Sequence, residues 1–187
     1  MIKKILINYI NILKGLARSF PIVIPLTSII YGIIFNFNIG IFFGIYSYIC
    51  DLISHNFKIA SKKIYGKKER LPILGLGRRP NGAKYCGLFI DENNLEGKST
   101  SFGMPSGHAM MSILTMVFWL SYFYNKNEKN IRTYISMILI IIITLSICYS
   151  RIILNCHTIQ QVIVGGLFGI LFGLIGYHFY STIFIDF

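Results

Sequence analysis

Acidic residues are scarce: the 187-residue chain holds seven, against eighteen lysines and arginines. Charge of either sign is missing from four blocks, 19–50, 99–125, 133–150 and 152–185. A membrane helix needs roughly 20 mainly apolar residues, and the first and last blocks are longer than that. They exclude a soluble enzyme with a greasy core and predict an integral membrane protein. The shortage of carboxylates also excludes chemistry. Two-metal hydrolysis needs several carboxylates or histidines around its ions, and none of the seven acids is near His108 or His157 in the chain. The four cysteines, Cys50, Cys86, Cys148 and Cys156, form no CxxC pair, and three lie in or beside apolar stretches. They read as packing thiols. Six residues after each comes Asn56, Glu92, Leu154 or Val162, so a cysteine nucleophile with its arginine is absent. There is no P-loop and no internal repeat. Residues 1–18 have no short apolar centre followed by a small-residue cleavage site, so a cleaved leader is not expected.

What is abundant is positive charge, formally +11. On a soluble protein this would suggest nucleic acid. Here there is no nucleic-acid-binding motif and little soluble surface. The charge instead fits basic loops beside anionic headgroups, or a basic site for an anionic substrate.

The pattern predicts an all-α membrane protein, a bundle of about five transmembrane helices with an N-terminal amphipathic helix. Residues 1–18 mix apolar clusters with Lys3, Lys4, Lys14 and Arg18, as an interfacial helix does. Residues 19–187 read as one domain, with spans at about 20–36, 39–54, 107–124, 133–150 and 159–180. Gly165, Gly169 and Gly173 recur every four residues, a stripe that lets membrane helices approach closely. His55 and His178 fall at span ends and read as interfacial. Asp91, Glu92 and Glu96 belong to a solvated loop.

Threading these spans through a bilayer brings three distant stretches to one face. They are GRRPNGAKYCG at 77–87, GMPSGHAM at 103–110 and SRIILNCHTIQQ at 150–161. Together they carry Arg78, Arg79, Lys84, Ser106, His108, Arg151 and His157. Arginine forks bind phosphate oxygens. A helix starting at Ser106-Gly107 offers backbone N–H groups to an anion. Of two imidazoles, one can attack phosphorus and the other can protonate the leaving oxygen. Asn155 and Ser150 are candidates to support Arg151. Gln161 has two readings. It lies one helical turn after His157 and can orient it, and with Thr158 it has capping-box spacing.

Arg79-Pro80, the intact PSGH at 105–108, and Ser150-Arg151 followed at the right gap by His157 resemble the type-2 phosphatidic acid phosphatase superfamily of membrane lipid phosphatases. The resemblance covers about 68–166. Two positions depart from it. The family's lysine, seven residues before the arginine, is Pro72 here, which leaves Lys68, Lys84 or Arg78 to supply that charge. The family's aspartate is Gln161, as in the dolichyldiphosphatase branch, which FGMPSGH also fits. The resemblance implies a single membrane phosphatase domain that needs no metal or cofactor and acts on a polyprenyl diphosphate. His157 would be the nucleophile and His108 the acid. Arg79, Arg151, Ser106, Gly107 and Lys68 would hold phosphate. A phosphatidate or other lipid monophosphate is the alternative substrate, and a catalytically weak lipid-binding protein the alternative class. The branch implies an endomembrane location, such as the endoplasmic reticulum, with a lumenal site. The excess of Lys and Arg on the same face predicts a cytosolic one.

Overall fold

The computed structural model describes residues 2–66, 70–84, 86, 99, 101–126 and 130–184, with residues 2–14, 16 and 17 described through their backbone alone. The first expectation needs correcting. The interfacial segment and the first span are one helix, α1, Ile2–Ile34. Nothing between them stops a helix. Pro21 and Pro25 lie inside it; each removes one backbone donor, a loss that membrane-type helices tolerate. Its apolar part is Arg18–Ile34. At Asn36 the backbone turns left-handed, with φ 51°, and α2, Asn38–Tyr65, folds back. Glycines permit the close approach of this pair. A Cβ on Gly32 would lie 2.7 Å from the Ile41 nitrogen, and one on Gly44 would lie 2.7 Å from the Pro25 carbonyl.

α2 also runs past its expected end at 54. No helix breaker occurs before Gly66, where φ is +53°. The added turns carry Lys58, Lys62 and Lys63. A short hairpin then breaks the all-α pattern. β1, Arg70–Leu71, pairs antiparallel with β2, Gly75–Leu76. Pro72 cannot continue a helix, and Ile73 and Gly75 take positive φ in the turn.

Three further helices complete the described fold: α3 Gly107–Asn125, α4 Ile131–Ile153 and α5 Ile159–Phe184. α3 is the central one, packed against the other four. Its Met110, Met111, Leu114 and Phe118 join Ile39 and Phe43 of α2 in the buried core. The glycine stripe sets how close α5 comes. A Cβ on Gly169 would lie 2.6 Å from the Met110 carbonyl, and one on Gly165 would run into the carbonyl of Ser106.

α4 and α5 are long and apolar enough to cross a membrane. On α4 the usual order of inside and outside is reversed. Ile138, Leu139, Ile142 and Leu145 are exposed, whereas Thr144 and Arg151 are buried. Apolar side chains outward with buried polar ones suit a helix that faces lipid.

The cysteine reading is also corrected. Cys86 and Cys156 form a disulfide with Cα atoms 5.5 Å apart, while Cys50 and Cys148 are free. The two partners are 70 positions apart, so nothing in their local spacing marks the pair. The bridge fastens the loop after β2 to the turn between α4 and α5.

Candidate functional site

The turn between α4 and α5 is built from its own backbone. Asn155 takes φ +52°, the left-handed conformation that commonly ends a helix. The chain then doubles back, and the N–H groups of Cys156 and His157 both donate to the Arg151 carbonyl, at 3.0 and 3.1 Å. The five-residue gap between Arg151 and His157 is thus one helix end, and it sets the imidazole beside the arginine's turn of helix. Asn155 does not support Arg151; its Nδ2 donates to the Asn81 carbonyl at 2.8 Å. Ser150 does, accepting from Arg151 Nε at 3.3 Å.

Gln161 meets both expectations at once. Its backbone N–H donates to Thr158 Oγ1 and its Oε1 accepts from the Thr158 N–H, which closes the capping box. The same Oε1 lies 3.0 Å from His157 Nδ1. Its Nε2 donates to the carbonyls of Leu76 and Arg78, each at 2.7 Å. Two carbonyls on one end and a backbone N–H on the other fix which way the amide points. Because Oε1 can only accept, Nδ1 of His157 carries the proton and Nε2 keeps its lone pair. That lone pair lies 3.0 Å from Arg79 Nη1.

This network explains why glutamine and not a carboxylate stands here. A carboxylate would meet the Leu76 and Arg78 carbonyls with oxygen and no donor, in a position with 0% exposure. Each such loss costs about 1–3 kcal/mol. Gln161→Glu is therefore expected to lower the melting temperature and phosphate release together, despite the charge it offers His157. Thermal unfolding and initial rates of the purified variant check this.

Arg79 lies in the loop that follows β2. Besides His157, its guanidinium donates to the Cys156 carbonyl at 2.9 Å and to Ser101 Oγ at 2.9 Å. Arg151 is fully buried, and among the described residues its Nη1 and Nη2 have no partner. A buried guanidinium with two empty arms is costly unless an anion fills them. Ser106 caps α3, accepting from the Ala109 N–H at 3.4 Å, while its own N–H donates to the Gln161 carbonyl at 3.1 Å. That bond ties the PSGH turn to the start of α5. His108, in the first turn of α3, donates from Nε2 to the Arg18 carbonyl at 3.0 Å. It lies close enough to His157 and Arg151 for their charges to interact.

Arg79, Ser106, Gly107, His108, Arg151, His157 and Gln161 therefore converge. Lys68 lies outside the described residues. Lys84 is exposed on the loop. Arg78 lines an open cavity of about 320 Å³ with Arg79, Lys62, Asn81 and Ser101. Two residues of α1 and α2 that sequence reasoning did not place here also belong to the cluster. Arg18 lies near Arg151, and Lys58 lies near Arg79 and both imidazoles. Treating α2 as a helix beyond residue 54 would have found Lys58, because the charges at 51 and 58 then share one face.

Burial first, and then the charges of Arg79 and Lys58, hold the His157 imidazole well below its ordinary range. Burial lowers the Arg79 guanidinium to about 10. The cluster thus gathers several cations around a neutral imidazole, an arrangement suited to a multiply charged anion.

No curated protein and no solved structure matches the chain. The PAP2 superfamily model matches residues 74–185, which contain all three motif stretches but neither Lys58 nor Arg18. The match spans more than half of the chain, so this protein belongs to the PAP2 superfamily, whose members are phosphatases, and membership points to activity on lipid-like phosphates.

Proposed function

We propose that the chain is a multi-pass membrane phosphatase that converts a polyprenyl diphosphate of the dolichyl type to the monophosphate without a metal. The observation that carries this is the state of His157. Its Nδ1–H is held by Gln161, its Nε2 lone pair faces Arg79 Nη1 at 3.0 Å until substrate oxygens take that guanidinium, and Arg151 keeps two arms open for the same anion.

In the first step Nε2 of His157 bonds to the terminal phosphorus, and the bond from that phosphorus to the bridging oxygen breaks. The bridging oxygen leaves on the lipid monophosphate and takes a proton from His108, which enters this step as the imidazolium and leaves it as the neutral imidazole. To give that proton, Nε2 of His108 exchanges the Arg18 carbonyl for the leaving oxygen. Water then attacks the phosphohistidine and passes a proton to His108, which releases inorganic phosphate and restores His157. Arg79 and Arg151 stabilise charge on the three equatorial oxygens. Charge-assisted bonds contribute about 1.5–3 kcal/mol each. The glutamine holds the imidazole without adding charge. A phosphoanhydride suits this weaker base, because a phosphate monoester leaves more readily than an alkoxide.

The test is phosphate release by the purified protein in EDTA from a long polyprenyl diphosphate, a short isoprenyl diphosphate and phosphatidate, with His157→Ala as control. The long diphosphate is expected to give the highest kcat/KM. Faster release from phosphatidate would reject the substrate, and no release from any of the three would reject the activity.

The depressed His157 also sets a pH expectation. Its pKa lies below the ordinary 6.5, so the nucleophile stays neutral as pH falls through that value. The acid limb of kcat/KM that belongs to it should lie below pH 6.5. NMR titration of the His157 imidazole in the wild type identifies the limb, and an imidazole that titrates above 6.5 would contradict this.

A further inference from the structure

The inner face of α2 supplies a wall of the site that none of the three motifs contains. Gly107, the first residue of α3, marks the place. A Cβ there would lie 3.2 Å from Ser54 Oγ and 3.5 Å from Lys58 Nζ. Both polar atoms therefore sit against the opening turn of α3, and glycine keeps the space between them clear. Ser54 is 1% exposed, and its hydroxyl has no hydrogen-bond partner among the described residues. A buried hydroxyl with nothing to bond is costly. A ligand oxygen at the N-terminus of α3 would satisfy it.

Lys58 lies one turn further along the same face. Asp51 is its acidic neighbour on α2, yet Arg79 weighs on it more than Asp51 does. Both imidazoles lie within reach of its charge. Lys58 and Arg79 thus both act on His157, and Arg151 acts on His108, with Asp51 the acid that Lys58 feels. Such a set is balanced by an anion and not by the protein. A lysine beside two arginines is also chemically apt. Its ammonium is a compact charge on a flexible stem and can follow an oxygen that moves during transfer.

We propose that Lys58 and Ser54 bind the transferring phosphoryl group. Lys58 is its third cation and Ser54 its hydroxyl donor, across from Arg79 and Arg151. This takes the charge that sequence reasoning left to Lys68, Lys84 or Arg78 and gives it to a residue outside the stretch matched by the family. It rests on the reading of the cluster as a phosphoryl-transfer site.

The test uses the full chain in detergent, with inorganic phosphate as probe. Binding is measured by thermal shift and 31P NMR, and competition is measured as Ki in the phosphate-release assay. Lys58→Gln should weaken phosphate binding on the order of 10–100-fold, the range of one charge-assisted contact. Lys58→Arg should recover most of that, and Ser54→Ala should weaken binding several-fold. kcat should fall in Lys58→Gln alongside the rise in Ki. Phosphate affinity within twofold of the wild type in Lys58→Gln would overturn the proposal. So would equal loss in Lys58→Gln and Lys58→Arg together with a lower melting temperature, since that marks a packing role. Binding is read without turnover. A wild-type protein that binds phosphate but releases none from lipid therefore defeats the functional reading, while Lys58 is still decided by its variants.

Discussion

His157→Ala is expected to abolish phosphate release, by at least about 10⁴-fold, in a protein that still folds. The fold survives because the partners of His157 have others. Oε1 of Gln161 keeps the Thr158 N–H, and Nη1 of Arg79 keeps the Cys156 carbonyl. On the proposed mechanism the activity does not survive, because Nε2 is the atom that accepts phosphorus. Rapid quenching of the wild type with labelled diphosphate should trap an acid-labile, base-stable phosphoenzyme, and the variant should trap none. A variant that retains even a few per cent of the rate would remove His157 from the chemistry.

Arg151→Met should lower kcat/KM by about 10²–10³-fold and raise the melting temperature. The two effects share one cause. The guanidinium is fully buried with two unpartnered arms, so the unliganded fold bears its desolvation without return. Exchanging a buried charge for an apolar side chain of similar length is often neutral or stabilising. The substrate, by contrast, loses a bidentate contact that a lysine could not reproduce. Steady-state kinetics and thermal unfolding of the same preparation separate the outcomes. If stability falls along with activity, Arg151 holds the fold and not the phosphate.

The candidate site was legible where chemistry is written in short strings. PSGH, Arg79-Pro80 and the Arg151 to His157 gap are local, and each folds through local rules: a serine cap, a loop closed by proline, a helix end with Asn155 left-handed. The helices α3, α4 and α5 were legible because each is built on one uncharged run that ends within about three residues of the helix end. Three features were not. α1 continues through Arg18 because nothing there breaks a helix, and a change in composition is not a stop signal. Lys58 lies on a basic, amphipathic extension of α2, where apolar content no longer marks the span. The Cys86–Cys156 bridge joins residues that meet only once the fold has brought the loop over the turn at Asn155. Gln161 was half legible, since its two readings looked like rivals until the amide was seen to serve both with opposite ends.

The bridge carries one more consequence. Outside a few thermophilic lineages, a structural disulfide lasts only where glutathione and thioredoxin do not reach it. This one ends at Cys156, the residue before His157. The membrane face that admits the phosphate would then be the one turned away from the reducing side of the cell. The lysines and arginines crowded on that face would owe their place to the anion they receive, against the usual bias that keeps such residues in the cytoplasm.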